Sequence, residues 1–117
     1  MSRAEFLLVK ERGRGFVDGP LAASYLGRPP TPTRSTPGAP AVARVGLVVS
    51  SKVGESVVRN RVKRRLREAV RHELSGFPAV DLVLVARSSA VKATVPVFRR
   101  WLANAARRIT AELQAAS

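Results

Sequence analysis

The sequence predicts an α+β protein in which helices pack against one small sheet, with the element order α-β-β-α-β-α. Two short segments, 44–50 and 81–87, are rich in Val and Leu, which is typical of buried strands. Two longer segments, 56–74 and 94–113, repeat apolar residues every three or four positions, which is typical of amphipathic helices. A length of 117 residues suits one domain with a modest core, so we expect a single domain over 1–117.

The N-terminal part of the chain is predicted to form one helix and one strand. Ser2 and Glu5 have the spacing of a capping box, so a helix begins there and continues to about Arg12, with Gly13 as its stop. The apolar segment 21–26 lies between glycines and a proline and is predicted to be a short strand.

A proline-rich loop is predicted at 27–41, because this segment contains five of the eight prolines. Proline has no backbone N–H to donate and its ring clashes inside a helix, so neither a helix nor an inner strand fits here. Too few residues precede this segment to fold alone. We therefore expect an exposed loop within the domain and not a domain boundary.

The rest of the chain is predicted to alternate strands and helices. The strand at 44–50 leads into a helix at 56–74, which a Ser-Gly-Phe-Pro sequence ends before the strand at 81–87. Thr94 is the expected N-cap of the last helix. The apolar stripe of the first of these helices consists of Val58, Val62, Leu66, Ala69 or Val70, and Leu74. That of the last helix consists of Phe98, Trp101 or Leu102, Ala105, Ile109 and Leu113.

The charge of the chain predicts a polyanionic partner. There are 21 basic residues (17 Arg and 4 Lys) against 8 acidic ones, a net charge of +13. Self-repulsion of this size destabilises a protein until a partner neutralises it, and nucleic acid is the leading candidate ahead of an anionic membrane surface. The absence of Cys and the single His exclude a disulfide scaffold, a thiolate zinc site and a His-rich metal site. No apolar run is long enough to span a membrane and no signal peptide is evident, so we expect a cytoplasmic protein.

The basic residues concentrate on the helix predicted at 56–74. Seven lie within thirteen positions: Arg59, Arg61, Lys63, Arg64, Arg65, Arg67 and Arg71. Helical spacing places four polar residues on one stripe, namely Asn60, Arg64, Arg67 and Arg71. One interpretation is a ridge of guanidinium groups that follows a phosphate backbone. The other is an ordinary solvated helix face, which the scarcity of acidic residues disfavours. Phe6 and Tyr25 are candidates for base stacking, although Phe6 more often belongs to a core.

No catalytic group is indicated by the sequence. The eight carboxylates are scattered, and no pair has a spacing that suggests two-metal phosphodiester hydrolysis. His72 has no evident partner, and no Gly-rich phosphate loop is present. We therefore expect a protein that binds and positions nucleic acid, and no metal site of its own.

Residues 59–68, with the sequence RNRVKRRLRE, resemble the "RNR" signature of the protein subunit of bacterial ribonuclease P. Residues 45–50 (VGLVVS) resemble the second strand of that family and residues 81–87 (DLVLVAR) its third. Glu5, Phe6, Val9 and Gly13 resemble its first helix. The resemblance covers nearly the whole chain apart from the proline-rich loop.

The resemblance implies a fold like domain 2 of ribosomal protein S5, with a left-handed β-α-β crossover. It implies that the chain assists a catalytic RNA, with Mg²⁺ bound to that RNA, in removing the 5′ leader of precursor tRNA. The implied partners are the catalytic RNA and precursor tRNA, and neither a protein oligomer nor an organic cofactor is required. The RNA-binding residues that it implies are Lys52, Arg59, Asn60, Arg61, Lys63, Arg64, Arg65 and Arg67, and Arg71 extends the same basic helix. Phe6 matches a leader-cleft aromatic, and Lys10 stands where a second aromatic is common.

Two other functions are compatible with the residues alone. One is a ribosome-associated or other structured-RNA-binding protein with an S5-like domain. The other is a nuclease that acts without an RNA subunit, which the scattered carboxylates disfavour.

Overall fold

A mixed four-stranded sheet with three helices makes up the computed structural model, which describes residues 3–27 and 43–116. The elements in chain order are α1 (Arg3–Arg12), β1 (Arg14–Asp18), β2 (Leu21–Gly27), β3 (Arg44–Val48), α2 (Ser56–Glu73), β4 (Val80–Ala86) and α3 (Val95–Ala116). Short 3₁₀ turns at Leu74–Gly76 and Ser88–Lys92 precede β4 and α3. The predicted α+β class is thus confirmed.

The sequence prediction missed one strand. β1 pairs antiparallel with β2, from Arg14 opposite Tyr25 to Asp18 opposite Leu21, so the observed order is α-β-β-β-α-β-α. Gly19 occupies the first position of the two-residue connection with a φ of 55°, a backbone conformation that glycine adopts without strain. The Ser2 cap and the proline-rich loop, apart from Gly27 at the end of β2, lie outside the described residues.

The sheet has the strand order β1-β2-β4-β3. β2 pairs antiparallel with β4, and β3 pairs parallel with β4, with Val45 opposite Leu82. A parallel pair requires a crossover, and here α2 provides it between β3 and β4. The handedness of this β-α-β unit remains the prediction that the family resemblance supplies.

Two helices cover one face of the sheet, and this side holds the main core. β2 alternates buried and half-buried residues, as expected when each strand sends every second side chain to one face. The buried residues of β2 and β4 join those of α2 and α3 in one apolar cluster, which includes Leu21, Ala23, Leu82, Leu84, Val62, Leu66, Phe98, Leu102 and Ile109. The predicted buried faces of both long helices are therefore confirmed, except for Val58, which is half-buried and lies outside this cluster.

Aromatic contacts attach α3 to the hairpin that β1 and β2 form. Phe16 of β1 stacks on Trp101 of α3 with ring centroids 5.7 Å apart, and the Trp101 indole N–H donates to the carbonyl of Asp18 at 2.7 Å. Tyr25 is buried and its hydroxyl donates to Glu112, so burial first and this hydrogen bond second raise the pKa of Tyr25. The prediction that Tyr25 stacks on bases is wrong, since its ring belongs to the core.

α1 lies on the opposite face of the sheet, where it contacts β2 and β4. Val9 is its fully buried residue. The helix ends at the predicted stop: the backbone N–H of Gly13 donates to the carbonyl of Val9 at 2.8 Å. Glycine is needed there because a Cβ would lie 2.5 Å from the carbonyl oxygen of Tyr25 and would also meet that of Val9.

Replacing Gly13 with alanine should lower the free energy of unfolding by about 1–3 kcal/mol, because the added methyl group would collide with backbone atoms that cannot rotate away. The matched control is Gly76→Ala, where a Cβ would meet nothing within 4 Å. Urea unfolding of both variants measures the difference. Equal midpoints for the two variants would contradict the close approach of α1 to β2.

Candidate nucleic-acid interface

The orientation of α2 follows from its apolar residues. Val62, Leu66 and Ala69 are its buried side chains and face the core between helix and sheet. Glu55 precedes the helix with an extended backbone but makes no side-chain capping bond, so tertiary packing holds the helix in place. The side of α2 that lies opposite these three residues consequently faces solvent.

The predicted polar stripe lies on this solvent-facing side. Asn60, Arg64, Arg67 and Arg71 are all exposed, and so is Arg61 beside them. Arg71 pairs with Glu68 at 2.6 Å, and Glu68 also contacts His72 at 3.0 Å. The hydrogen bond from Arg71, followed by that of His72, lowers the pKa of Glu68.

Three arginines of α2 have no hydrogen bond or ion pair with any described residue: Arg61, Arg64 and Arg67. An exposed guanidinium group that forms no ion pair or hydrogen bond keeps all five donors for an external anion. We call these three residues the free arginines of α2. They are the most available phosphate ligands on this helix.

Two other arginines of the motif make contacts within the protein. Arg65 is half-buried and donates to the carbonyls of Val91 and Ala93 at 3.2 and 3.3 Å, which attaches α2 to the turn before α3. Arg59 is half-buried and donates to the hydroxyl of Ser56 at 3.2 Å. These two side chains therefore have a structural role as well as any contact with RNA. Lys63 is also half-buried.

Lys52 lies in the turn that leads into α2 and is exposed. The turn is closed by the backbone N–H of Val53, which donates to the carbonyl of Ser50 at 3.0 Å. Gly54 follows with a φ of 154°, which favours glycine. This turn places the Lys52 ammonium group before the first turn of the basic helix.

The residues predicted for a leader cleft lie on the other side of the sheet. Phe6 is half-buried and Lys10 is exposed, one helical turn apart on α1. On the same face of the sheet, Val17 of β1 is 61% exposed, so α1 leaves the β1 side of this face open. The structure thus separates the two sets of predicted residues onto opposite sides of the sheet.

An ion network that the sequence reasoning missed attaches α1 to this face. Arg44 of β3 donates two hydrogen bonds of 2.8 Å to the carboxylate of Asp81, and it also pairs with Glu5 of α1. Asp81 is the buried charged residue of the described chain. Its hydrogen bonds are the largest of the influences that raise the pKa of Arg44. No local signal predicts this pair, because sheet register brings residues 44 and 81 together.

The described residues show neither a metal-binding cluster nor a membrane-spanning helix. No group of three or more His, Asp or Glu side chains comes together there in a way that could hold a metal ion. None of the helices found in residues 3–27 and 43–116 combines the length and apolarity that crossing a membrane needs.

The helices lie on a mixed sheet, and α2 turns a strongly basic face to solvent. These features are typical of α+β proteins that bind nucleic acid. The family model of ribonuclease P matches residues 1–110 of the chain. The chain belongs to the ribonuclease P protein family. It is accordingly an RNA-binding subunit of a ribonuclease P, an enzyme of tRNA processing.

Curated relatives agree with this assignment. The chain is 48% identical over 87 residues to the ribonuclease P protein component of Gluconacetobacter diazotrophicus, covering 73% of this chain and 67% of that protein. It is 38% identical over 108 residues to that of Xanthomonas euvesicatoria, covering 92% of this chain and 67% of that protein. The chain therefore spans about two thirds of the length of these relatives. Neither relative supports the ribosome-associated alternative.

Solved structures show the same fold. The ribonuclease P protein of Thermotoga maritima superposes with a TM-score of 0.72 at 24% identity, covering 91% of this chain and 92% of that one. The Staphylococcus aureus protein superposes with a TM-score of 0.70 at 23% identity, covering 94% and 92%.

Proposed function

We propose that this chain binds the RNA subunit of its ribonuclease P through α2 and the 5′ leader of precursor tRNA through the sheet face under α1. The observation that carries the proposal is the set of free arginines of α2, which face solvent opposite the buried stripe. They span about 9 Å of helix, so three rigid forks of donors follow one line along which phosphate groups can bind.

The proposed binding surface has two parts on opposite sides of the sheet. The RNA-subunit surface comprises Lys52, Arg59, Asn60, Arg61, Lys63, Arg64, Arg65, Arg67 and Arg71. The leader surface comprises Phe6 and Lys10, where an aromatic ring can stack on an unpaired base and an ammonium group can contact a phosphate. A molecule that contacts both partners at once can favour precursor over mature tRNA, because only the precursor has a leader.

In this proposal the chain positions RNA, and the RNA subunit performs the hydrolysis. The pairing of the acidic side chains supports a positional role, since Glu68, Glu73, Asp81 and Glu112 each form an ion pair with an arginine. Such carboxylates stabilise the fold and are poorly placed to accept a proton from water. Phosphate binding by the arginines releases counterions and lowers the repulsion between two RNA molecules that must come together.

Mg²⁺ is assigned to the RNA in this proposal. The described residues do not fit a protein-held divalent ion, because their carboxylates do not cluster. The chain would act on the ion indirectly, by bringing phosphate-rich RNA segments together.

Reconstitution at low Mg²⁺ tests the proposal. The purified chain is mixed with the cognate RNA subunit, and cleavage of a precursor tRNA is compared with that by the RNA alone and by the chain alone. We expect cleavage to be fast only when both are present, because neutralised phosphates need fewer free cations for assembly. Precursor tRNA should also bind the complex more tightly than mature tRNA does.

Two outcomes would overturn the proposal. Absence of stimulation by the chain would mean that it does not assist this RNA. Cleavage by the chain alone would mean that it is itself a nuclease.

A further inference from the structure

The last helix carries positive charge that the family motif does not include. α3 contains four arginines, and two of them have acidic partners: Arg99 pairs with Glu73 at 2.9 Å and Arg108 with Glu112 at 3.0 Å. Arg108 also lies 4.2 Å above the ring of Phe16. These two arginines are therefore engaged in holding α3 against α2 and the first hairpin.

The other two arginines of α3, Arg100 and Arg107, are exposed and make no hydrogen bond or ion pair with a described residue. Seven positions separate them, which is two turns or about 10.5 Å along one side of the helix. The exposed amide of Asn104 lies between them near the same side. The solvent-facing side of α3 therefore resembles that of α2, because each carries arginines and one asparagine.

Shallow grooves lie beside these two arginines, and a polymer backbone can approach them. A groove of about 450 Å³ extends from Arg107 across small residues, and a second of about 260 Å³ lies next to Arg100. Ala103 and Glu73 line both grooves, and the carboxylate of Glu73 is paired with Arg99. Arg100 and Arg107 each lie beside an open, shallow groove and have no ion pair with a described residue. Two such cations complement a chain of phosphates better than a compact ligand, which the open shape would leave half in water.

The position of this surface in the fold indicates which RNA it would meet. α2 and α3 pack against each other on the same face of the sheet, whereas α1 lies on the other face. The outer sides of α2 and α3 consequently face away from the sheet in the same direction. An RNA that follows the free arginines of α2 can continue onto α3, but a leader held under α1 cannot reach it without passing around the sheet.

We propose that Arg100 and Arg107 form a second phosphate-binding surface, which extends the α2 surface and binds the backbone of the ribonuclease P RNA subunit. This inference rests on the proposed function, since it concerns the same RNA. It assigns a binding role to two residues of α3 that lie outside the basic motif. The alternative is that both side chains are only solvated.

The test compares two double variants that remove the same charge. Arg100→Gln with Arg107→Gln removes the proposed contacts, and Arg87→Gln with Arg108→Gln removes two arginines that already bond within the protein, to the carbonyl of Gly19 and to Glu112. Each phosphate contact contributes about 0.7–0.9 to the slope of log K against log salt. The first variant should therefore lower that slope by about 1.4–1.8 and weaken binding of the RNA subunit about 10- to 30-fold at about 0.15 M salt.

Equal binding by the two variants would overturn the inference. A loss that fell only on the preference for precursor over mature tRNA would also overturn it, because the surface would then serve the leader. A parallel variant in the free arginines of α2 separates this result from failure of the proposed function. If that variant loses affinity and the α3 variant does not, only the inference about α3 fails. If neither loses affinity, the proposed function fails as well.

Discussion

Replacing Arg61, Arg64 and Arg67 together with glutamine should weaken binding of the RNA subunit about 50- to 150-fold at about 0.15 M salt. The reason is that these three guanidinium groups are exposed and have no partner among the described residues, so each is available for one phosphate. Loss of three contacts should lower the slope of log K against log salt by about 2–3. Filter binding or fluorescence anisotropy over a series of salt concentrations measures both quantities.

A matched control removes three positive charges at other sites. Arg87 donates to the carbonyl of Gly19 at 3.0 Å, and Arg99 and Arg108 pair with glutamates, so glutamine at these three positions gives the same net charge. The control should retain most of the affinity and nearly the whole salt slope. If both triple variants lose the same affinity, binding depends on net charge alone, and α2 does not form a specific surface.

The face of α2 that binds in this proposal could be predicted from sequence because it depends only on helical spacing. Once Val62, Leu66 and Ala69 are assigned to the core, the period of the helix places Arg64 and Arg67 on the opposite side. Sequence could not show which arginines remain available. The contacts of Arg65 with carbonyls 26 and 28 positions away depend on how the chain folds back.

β1 was missed because it has little of the pattern that identifies a strand. It is a five-residue edge strand with only one half-buried position, Phe16, so its sequence shows no clear alternation. It forms because β2 provides a partner across a tight turn. The signal that was available is Gly19, because glycine at the first position of a two-residue connection is typical of a tight hairpin turn.

Long-range pairs were the other part of the structure that sequence reasoning could not supply. Tyr25 reads as a candidate for stacking when it is considered alone, but its hydroxyl meets Glu112 in α3, 87 positions away. From the sequence alone, Arg44 is one more positive charge, but the parallel register of β3 and β4 places it opposite Asp81. Both residues stabilise the fold, and only the topology of the sheet shows it.

Replacing Arg44 with methionine should lower the free energy of unfolding by about 3 kcal/mol, the lower end of the range for breaking a buried ion pair. The large effect is expected because Asp81 is buried and would lose its two hydrogen bonds from the guanidinium. The lower end applies because the Arg44 side chain is 36% exposed, so water offsets part of the cost. Arg44→Lys should restore only part of the stability, since lysine cannot donate the bidentate pair. Urea unfolding measures each value.

The double variant Arg44→Met with Asp81→Asn identifies the source of the loss. It should be more stable than Arg44→Met alone, because asparagine carries no negative charge that would stay buried after the guanidinium group is lost. Strictly additive losses would contradict the ion pair as the cause.

A second consequence concerns α1, which Arg44 contacts through Glu5. Loosening α1 should raise its rate of hydrogen exchange and reduce the preference for precursor over mature tRNA. Binding of the RNA subunit through α2 should be unchanged, because α2 packs on the other face of the sheet.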